Sequence, residues 1–205
     1  MRLPTVAQKG CCRVCSKAVA GLDGEYLCED CEKSKPHYDR VACALRFEGT
    51  AREMILGFKF NRHLWLAADF SDWLEAAVRA RLDVAAVDVV LPMPTTLFHR
   101  WDRGYSQTEL LAKELARRID RRFDAGALAR KGHPRRQSQL TEAERRENAK
   151  GTFAVRRPEW IRGRTVLVVD DILTTGSTLS EAALALKEQG AAYVLGAALA
   201  RSVRS

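Results

Sequence analysis

The sequence predicts an α/β fold, a mostly parallel sheet with helices packed on it, preceded by a small module built on cysteines. Three observations carry this. Short apolar runs alternate with segments of helical period from residue 41 to residue 199, the pattern of strand–helix units in a parallel sheet. Five of the six cysteines stand before Pro36, and four of them form two C-x-x-C pairs. One apolar strand pattern, TVLVV at 165–169, runs directly into two adjacent acids and a Thr/Gly/Ser turn.

Each element has its own reason. Residues 41–47 (VACALRF) alternate weakly and predict a strand. Met54, Ile55 and Phe58 fall on one helical face over 50–59, and Leu66, Phe70, Trp73, Leu74 and Ala77 on another over 64–81. VDVVLPMP at 87–94 is a short buried strand that its prolines end. Ser106 and Glu109 form a capping box before Leu110, Leu111 and Leu115, so a helix starts there. Residues 127–130 predict a strand, and 131–150, polar with Gly132 and Pro134, a long loop with a turn of helix. The strand at 165–169 is followed by a helix over 178–189, with Thr178 and Glu181 as its capping box and Gly190 past its end. YVLGAAL at 193–199 is the last strand. The change of character near Pro36 divides the chain into residues 1–38 and 39–205.

The cysteine pairs have ligand spacing. Cys12 and Cys15, then Cys28 and Cys31 after twelve intervening residues, offer four thiolates from two tight turns, a tetrahedral zinc set. Gly21 and Gly24 suit the hairpin of a zinc ribbon. With all four positions filled by protein, such a zinc is structural. Cys11 is an alternative to Cys12. Cys43 sits in an apolar strand and reads as a core cysteine. The first fifteen residues lack the apolar core and cleavage site of a secretory signal, and no apolar run nears the roughly 20 residues that span a membrane. A cytoplasmic protein with reduced or metal-bound cysteines is expected.

Charge is concentrated. The chain is formally +8, and from Arg117 to Lys150 eleven Lys or Arg stand against five Asp or Glu, a net +6. Such a segment is either a solvated face or an anion-binding loop.

The most informative stretch is Val166 to Thr178. A buried strand delivers Asp170 and Asp171 at its carboxyl end, where open α/β sheets bind ligands. The helix that follows offers free N–H groups to a phosphate, Gly176 allows close approach, and Thr174, Thr175, Ser177 and Thr178 add hydroxyls. No lysine is placed as in a Walker loop. Acids beside a phosphate cradle suit a sugar phosphate, with carboxylates on the ribose hydroxyls.

Here the chain resembles the type I phosphoribosyltransferases, whose motif for phosphoribosyl pyrophosphate (PRPP) reads acid-acid-x-x-Thr-Thr-Gly-x-Thr. The resemblance implies a parallel sheet with a hood, Asp170 and Asp171 as the ribose-binding and catalytic acids, and Thr174, Thr175, Gly176, Ser177 and Thr178 as the 5-phosphate loop. It also implies Mg²⁺ carried in largely by PRPP. The likeness narrows to the ComF family of competence proteins and spans nearly the whole chain. It rests on the four-cysteine finger, on FEGTAREMILGFKF at 47–60, and on Leu91-Pro-Met-Pro-Thr with Arg103-Gly-Tyr-Ser-Gln107. Gln139-Leu-Thr, Arg145, Asn148 and Phe153 complete it. Tyr105 and Ser106 stand where Phe and Asn are commoner. Residues 92–96, with Pro94 and Thr95, would then form the pyrophosphate loop, and Arg103 would also bind PRPP. Residues 131–146, with Arg135, Arg136, Gln139 and Arg145, would form a mobile flap over PRPP. Thr174 occupies the position of the Asp that acts on the base in purine-salvage members, so 6-oxopurine salvage is not expected.

Three functions share this site. The resemblance implies a PRPP-binding protein of DNA uptake and natural transformation, with single-stranded DNA and other uptake proteins as partners. Trp101 or Tyr105 would be available for stacking. Phe123 is the only aromatic residue from Arg117 to Lys150, which weakens direct DNA contact by the basic segment. The second is a phosphoribosyltransferase with an acceptor that remains open; Trp65 and Trp73 would stack a base or, as their helical spacing suggests, belong to the core. The third is a sensor that binds PRPP without turnover.

Overall fold

A computed structural model describes residues 10–18, 24–94, 106–131 and 151–202. Thr95, Arg103, Arg135, Arg136, Gln139 and Arg145 lie outside the described residues, as do Trp101, Tyr105 and Gly21.

The main sheet has five strands: β3 (Arg40–Arg46), β4 (Val89–Pro92), β5 (Arg122–Phe123), β8 (Thr165–Leu173) and β9 (Tyr193–Arg201). Their order is β3-β9-β8-β4-β5, and every pairing is parallel. Both faces are covered, which is why the central strands read as continuous apolar runs. On one face, Ala42, Val90, Leu167, Val169 and Leu199 meet helices α2 (Gly49–Phe60), α3 (Ala67–Arg81) and α4 (Gln107–Arg118). Phe58 and Phe70 lock α2 to α3 edge to face, with centroids 5.2 Å apart. On the other, Val41, Cys43, Val166, Val168 and Val194 meet α5 (Ser177–Glu188) and the cysteine module.

Residues 64–66 make a 3₁₀ turn before α3, so the expected long helix begins at Ala67. Ser106 caps α4 as its spacing predicts, accepting from the Glu109 N–H. The helix after the acids starts one residue earlier than expected. Gly176 is its N-cap at φ +83° and no side chain caps it, so Thr178 and Glu181 lie inside the helix instead of forming a capping box. Its end matches expectation: at φ +88° Gly190 lets its own N–H reach Lys187 O while Ala191 N–H reaches Leu186 O, the Schellman arrangement.

Gly196 sets the approach of α5 to the sheet. A Cβ there would stand 2.5 Å from Leu179 Cδ2 and 2.9 Å from Val41 Cγ2. Gly196→Val is therefore expected to cost about 3 kcal/mol through overpacking, read as a lowered urea midpoint; an unchanged midpoint would refute this packing.

Strand β6 (Leu128–Arg130) pairs antiparallel with β7 (Phe153–Val155). The pair is a stem for the segment between, which contains the expected flap. Buried Asp124 secures its base, accepting from Gly126 N–H, Ala127 N–H and the Arg157 guanidinium.

In the cysteine module, β1 (Cys11–Cys12) runs parallel to β2 (Glu25–Tyr26), Cys11 bridges antiparallel to Ala18, and Cys28 precedes the short helix α1 (Glu29–Lys33). The module lies against β3 and α5, and its cysteines share the core of that face.

Candidate functional site

Sheet topology locates a crevice. Strands β4 and β8 are neighbours, yet the helix after β4 packs on one face and the helix after β8 on the other. A parallel sheet opens for ligand at such a divergence. Strand β4 ends at Pro92, paired with Val169, while β8 continues four residues further along β9. Asp170 to Leu173 thus overhang the end of β4. Met93 N–H bonds Val169 O, and Thr108 Oγ1 donates to Met93 O, so Pro94 leaves the sheet beside the acids.

Adjacent strand residues point to opposite faces. Asp170 continues the Val166, Val168 series toward β6 and β7; Asp171 continues the Leu167, Val169 series toward α2. Lys59 from the end of α2 accordingly lies 2.5 Å from Asp171 Oδ2. Asp170 accepts from the Asp171 N–H at 2.8 Å. Burial, and then the charge of Asp171, push its carboxyl up to about 7, with Lys59 opposing. Arg130, the last residue of β6, has its pKa lowered by burial, with Asp170 opposing, and its Nε is buried with no hydrogen-bond partner among the described residues.

The turn after β8 is shaped by side chains as well as by Gly176. Thr175 Oγ1 accepts from the Ser177 N–H at 3.3 Å and meets Ser177 Oγ at 2.8 Å. The α5 N-terminus is uncapped, which leaves donors for an anion. Lys59, Arg130 and the finger residues that touch the turn are not singled out by the sequence motif. They are remote in the chain from the acid pair, and although Lys59 lies in the 47–60 stretch, no local pattern marks any of them as site residues.

The cysteine cluster forms as its spacing predicts. Sγ atoms of Cys12, Cys15, Cys28 and Cys31 all lie within 4.8 Å of one another and all four residues are buried. Zinc with Zn–S bonds of about 2.3 Å needs thiolates about 3.8 Å apart in a tetrahedron, and Cys15 Sγ and Cys28 Sγ are 3.6 Å apart. The four are positioned to hold a metal ion, consistent with structural zinc. Cys11 is not among them; it accepts from Arg81 Nη1 at 2.6 Å. Cys43 is a buried core residue, and all six thiols are free of disulfides.

The basic segment is not one uniform face. Arg117 and Arg118 pair with Glu114, and Arg118 also with Glu75 and Asp72. Trp73 packs partly buried against the helical core, as its spacing suggests, but Trp65 is 71% exposed.

The overhanging acid pair, the uncapped glycine-started helix and the parallel sheet define a phosphoribosyltransferase-fold protein, and the phosphoribosyl transferase domain family matches residues 107–204. Competence protein F of Haemophilus influenzae is 30% identical over 96% of this chain and 93% of its own length. DNA utilization protein YhgH of Escherichia coli O6:H1 is 30% identical over 90% of this chain and 87% of its own. The chain belongs to this ComF family of competence proteins. Among solved structures, the allosteric regulatory enzyme of purine biosynthesis overlays 64% of this chain and 25% of its own at TM-score 0.43 and 19% identity. No helix among the described residues is long and apolar enough to cross a membrane.

Proposed function

We propose that the chain binds Mg²⁺–PRPP in the β4–β8 crevice and acts in the uptake or use of DNA, the role that its relatives' names carry. The observation that supports it most directly is the acid pair on the overhang, one turn before an uncapped helix. Asp170 and Asp171 take the ribose hydroxyls. Residues 174–178 take the 5-phosphate, Pro94, Thr95 and Arg103 the pyrophosphate, and Arg135, Arg136, Gln139 and Arg145 close over it. Arg130, at the root of that segment, adds a cation beside Asp170. Zinc on the four cysteines is structural.

DNA contact is supported by residues 59–65, the end of α2 and the turn that follows it. Phe60 and Trp65 are 60% and 71% exposed, Arg62 is exposed, and His63 stacks on Trp65 at 5.7 Å. Exposed rings among cations suit stacked single-stranded bases. The same segment begins at Lys59, which pairs with Asp171, so PRPP and DNA would sense one another there. Single-stranded DNA affinity, measured by fluorescence anisotropy at fixed salt with and without Mg²⁺–PRPP, tests this. A shift with PRPP is expected, and linkage then requires DNA to shift PRPP affinity equally. Trp65→Ala should weaken DNA about tenfold and leave PRPP affinity unchanged. Weak DNA binding that ignores both PRPP and the substitution would remove the DNA reading.

One observation favours a transferase as a second reading. Asp170 and Asp171 stand side by side at the end of β8, Asp170 accepting from the Asp171 N–H, and burial raises the Asp170 carboxyl toward the range of proton transfer near neutral pH. The C1–pyrophosphate bond would break, a C1–acceptor bond would form, and pyrophosphate would leave. Acceptor-dependent pyrophosphate release is its signature. PRPP binding without release against any acceptor supports the sensor instead.

A further inference from the structure

The finger does more than cover the sheet. A cavity of about 330 Å³ separates it from the turn after β8, with Thr175, Gly176 and Ser177 on one wall and Lys35, His37 and Tyr38 on the other. The two walls are joined. His37 N–H donates to Ser180 Oγ at 3.0 Å. Buried Arg201 donates to Cys15 O at 3.1 Å and to Leu173 O at 3.0 Å, and also bonds Thr174 O. One guanidinium thus ties a metal-ligand residue to the first residue of the phosphate turn.

Tyr38 is the unexplained group. It is 3% exposed, so its ring is packed, and it lines the cavity. Among the described residues nothing accepts from or donates to that hydroxyl. It points at Gly176, where a Cβ would stand 2.7 Å from Tyr38 Oη. The N-terminal residues Gly176 and Ser177 of the α5 turn, with the Thr175 and Ser177 hydroxyls, open on the same cavity. Hydroxyl groups from parts of the chain far apart in sequence therefore face one space. Asp30 and Glu181 also line it, with Lys35 and Arg201 as cations, and Asp30 pairs with Lys17 at 2.7 Å.

We propose that Tyr38 completes the phosphate cradle: the finger donates the Tyr38 hydroxyl to the same phosphate monoester that the α5 N-terminus and the Thr175 and Ser177 hydroxyls hold. In the reading above, on which this rests, that group is the 5-phosphate of PRPP. The cysteine cluster then positions a ligand-binding residue, and phosphate binding and metal retention stabilise one another through Tyr38 and Arg201.

Isothermal titration with Mg²⁺–PRPP and with ribose 5-phosphate tests it on the full chain. Tyr38→Phe keeps the ring and removes only the hydroxyl. It should leave the melting temperature and metal content at wild-type values and weaken both ligands about tenfold, the effect of losing one hydrogen bond to a charged group. Saturating ribose 5-phosphate should slow metal release to a chelator in the wild type, and less so in Tyr38→Phe. Equal affinities in the two proteins would overturn the inference while leaving PRPP binding intact. A wild type that binds neither ligand would overturn both.

Discussion

The Asp170→Asn, Asp171→Asn double variant is expected to lose Mg²⁺–PRPP binding by at least a hundredfold, and Asp170→Asn alone to melt above the wild type at pH 8. Both follow from one arrangement. Two carboxylates stand side by side at the end of one strand. Burial and the charge of Asp171 oppose the ionisation of Asp170 and hold its carboxyl up to about 7, against 3.8 for an ordinary aspartate. Between those values the folded chain keeps a proton that the unfolded chain has released. Stability contributed by this group therefore falls as pH rises from about 4 to about 7. Removing the ionisable group removes the penalty, so Asp170→Asn should match the wild type at pH 4 and exceed it at pH 8. A gain on the order of 1–2 kcal/mol would raise the melting temperature by about 3–6 °C in a chain of this size. The double variant also gives up the Lys59 pair with Asp171, which is why the stability comparison uses the single one. Thermal unfolding across pH, with calorimetric titration of Mg²⁺–PRPP, checks both. Equal melting at pH 8 would mean that Asp170 is ionised without cost, and undiminished PRPP affinity in the double variant would place the sugar elsewhere.

Metal removal is expected to have the largest effect on stability. Binding at a four-cysteine site is worth on the order of 10 kcal/mol to the module that it folds. Here the module is not a detached tail. Arg81 from α3 bonds Cys11 Sγ at 2.6 Å and Cys12 O at 3.0 Å, Ser16 Oγ donates to Val41 O at 2.7 Å, and Arg201 reaches Cys15 O. Loss of the metal should expose the β3 side of the core and lower the melting temperature by roughly 10 °C or more. Cys28→Ser should reproduce that loss, whereas Cys43→Ala should retain one bound metal per chain, because Cys43 lies outside the four-thiolate set. Metal analysis and thermal unfolding before and after chelation measure it. A metal-free chain with an unchanged melting temperature would show that the thiols pack without an ion.

Much of the molecule is legible where the signal is local. The capping of α4 by Ser106 is a contact three residues long, so spacing alone predicts it. The C-terminal glycine signal at Gly190 is of the same kind. The start of α5 shows the limit of such reasoning. Thr178 and Glu181 satisfy the pattern of a capping box, but Gly176 adopts a left-handed conformation and turns the chain into the helix one residue sooner. Short pieces also escape: β5 has two residues and β7 three, too few to establish a period, and each exists because a neighbouring strand is already in place. Trp65 and Trp73 stand eight residues apart in one predicted helical pattern, yet Leu64–Leu66 form a 3₁₀ turn, and the break leaves Trp65 outside while Trp73 packs.

Residue types and spacing alone determine the fold class, the four-cysteine cluster, the acid pair and the Thr/Gly/Ser turn, because each of these is written within a few consecutive residues. Their partners are decided by packing. Lys59 beside Asp171, Arg130 beside Asp170, and Tyr38 and Arg201 joining the finger to the turn come from segments up to 186 residues apart. Which of them meet depends on strand order and on which face each helix takes. That order is selected by the burial of the whole apolar surface at once, and no local pattern encodes it.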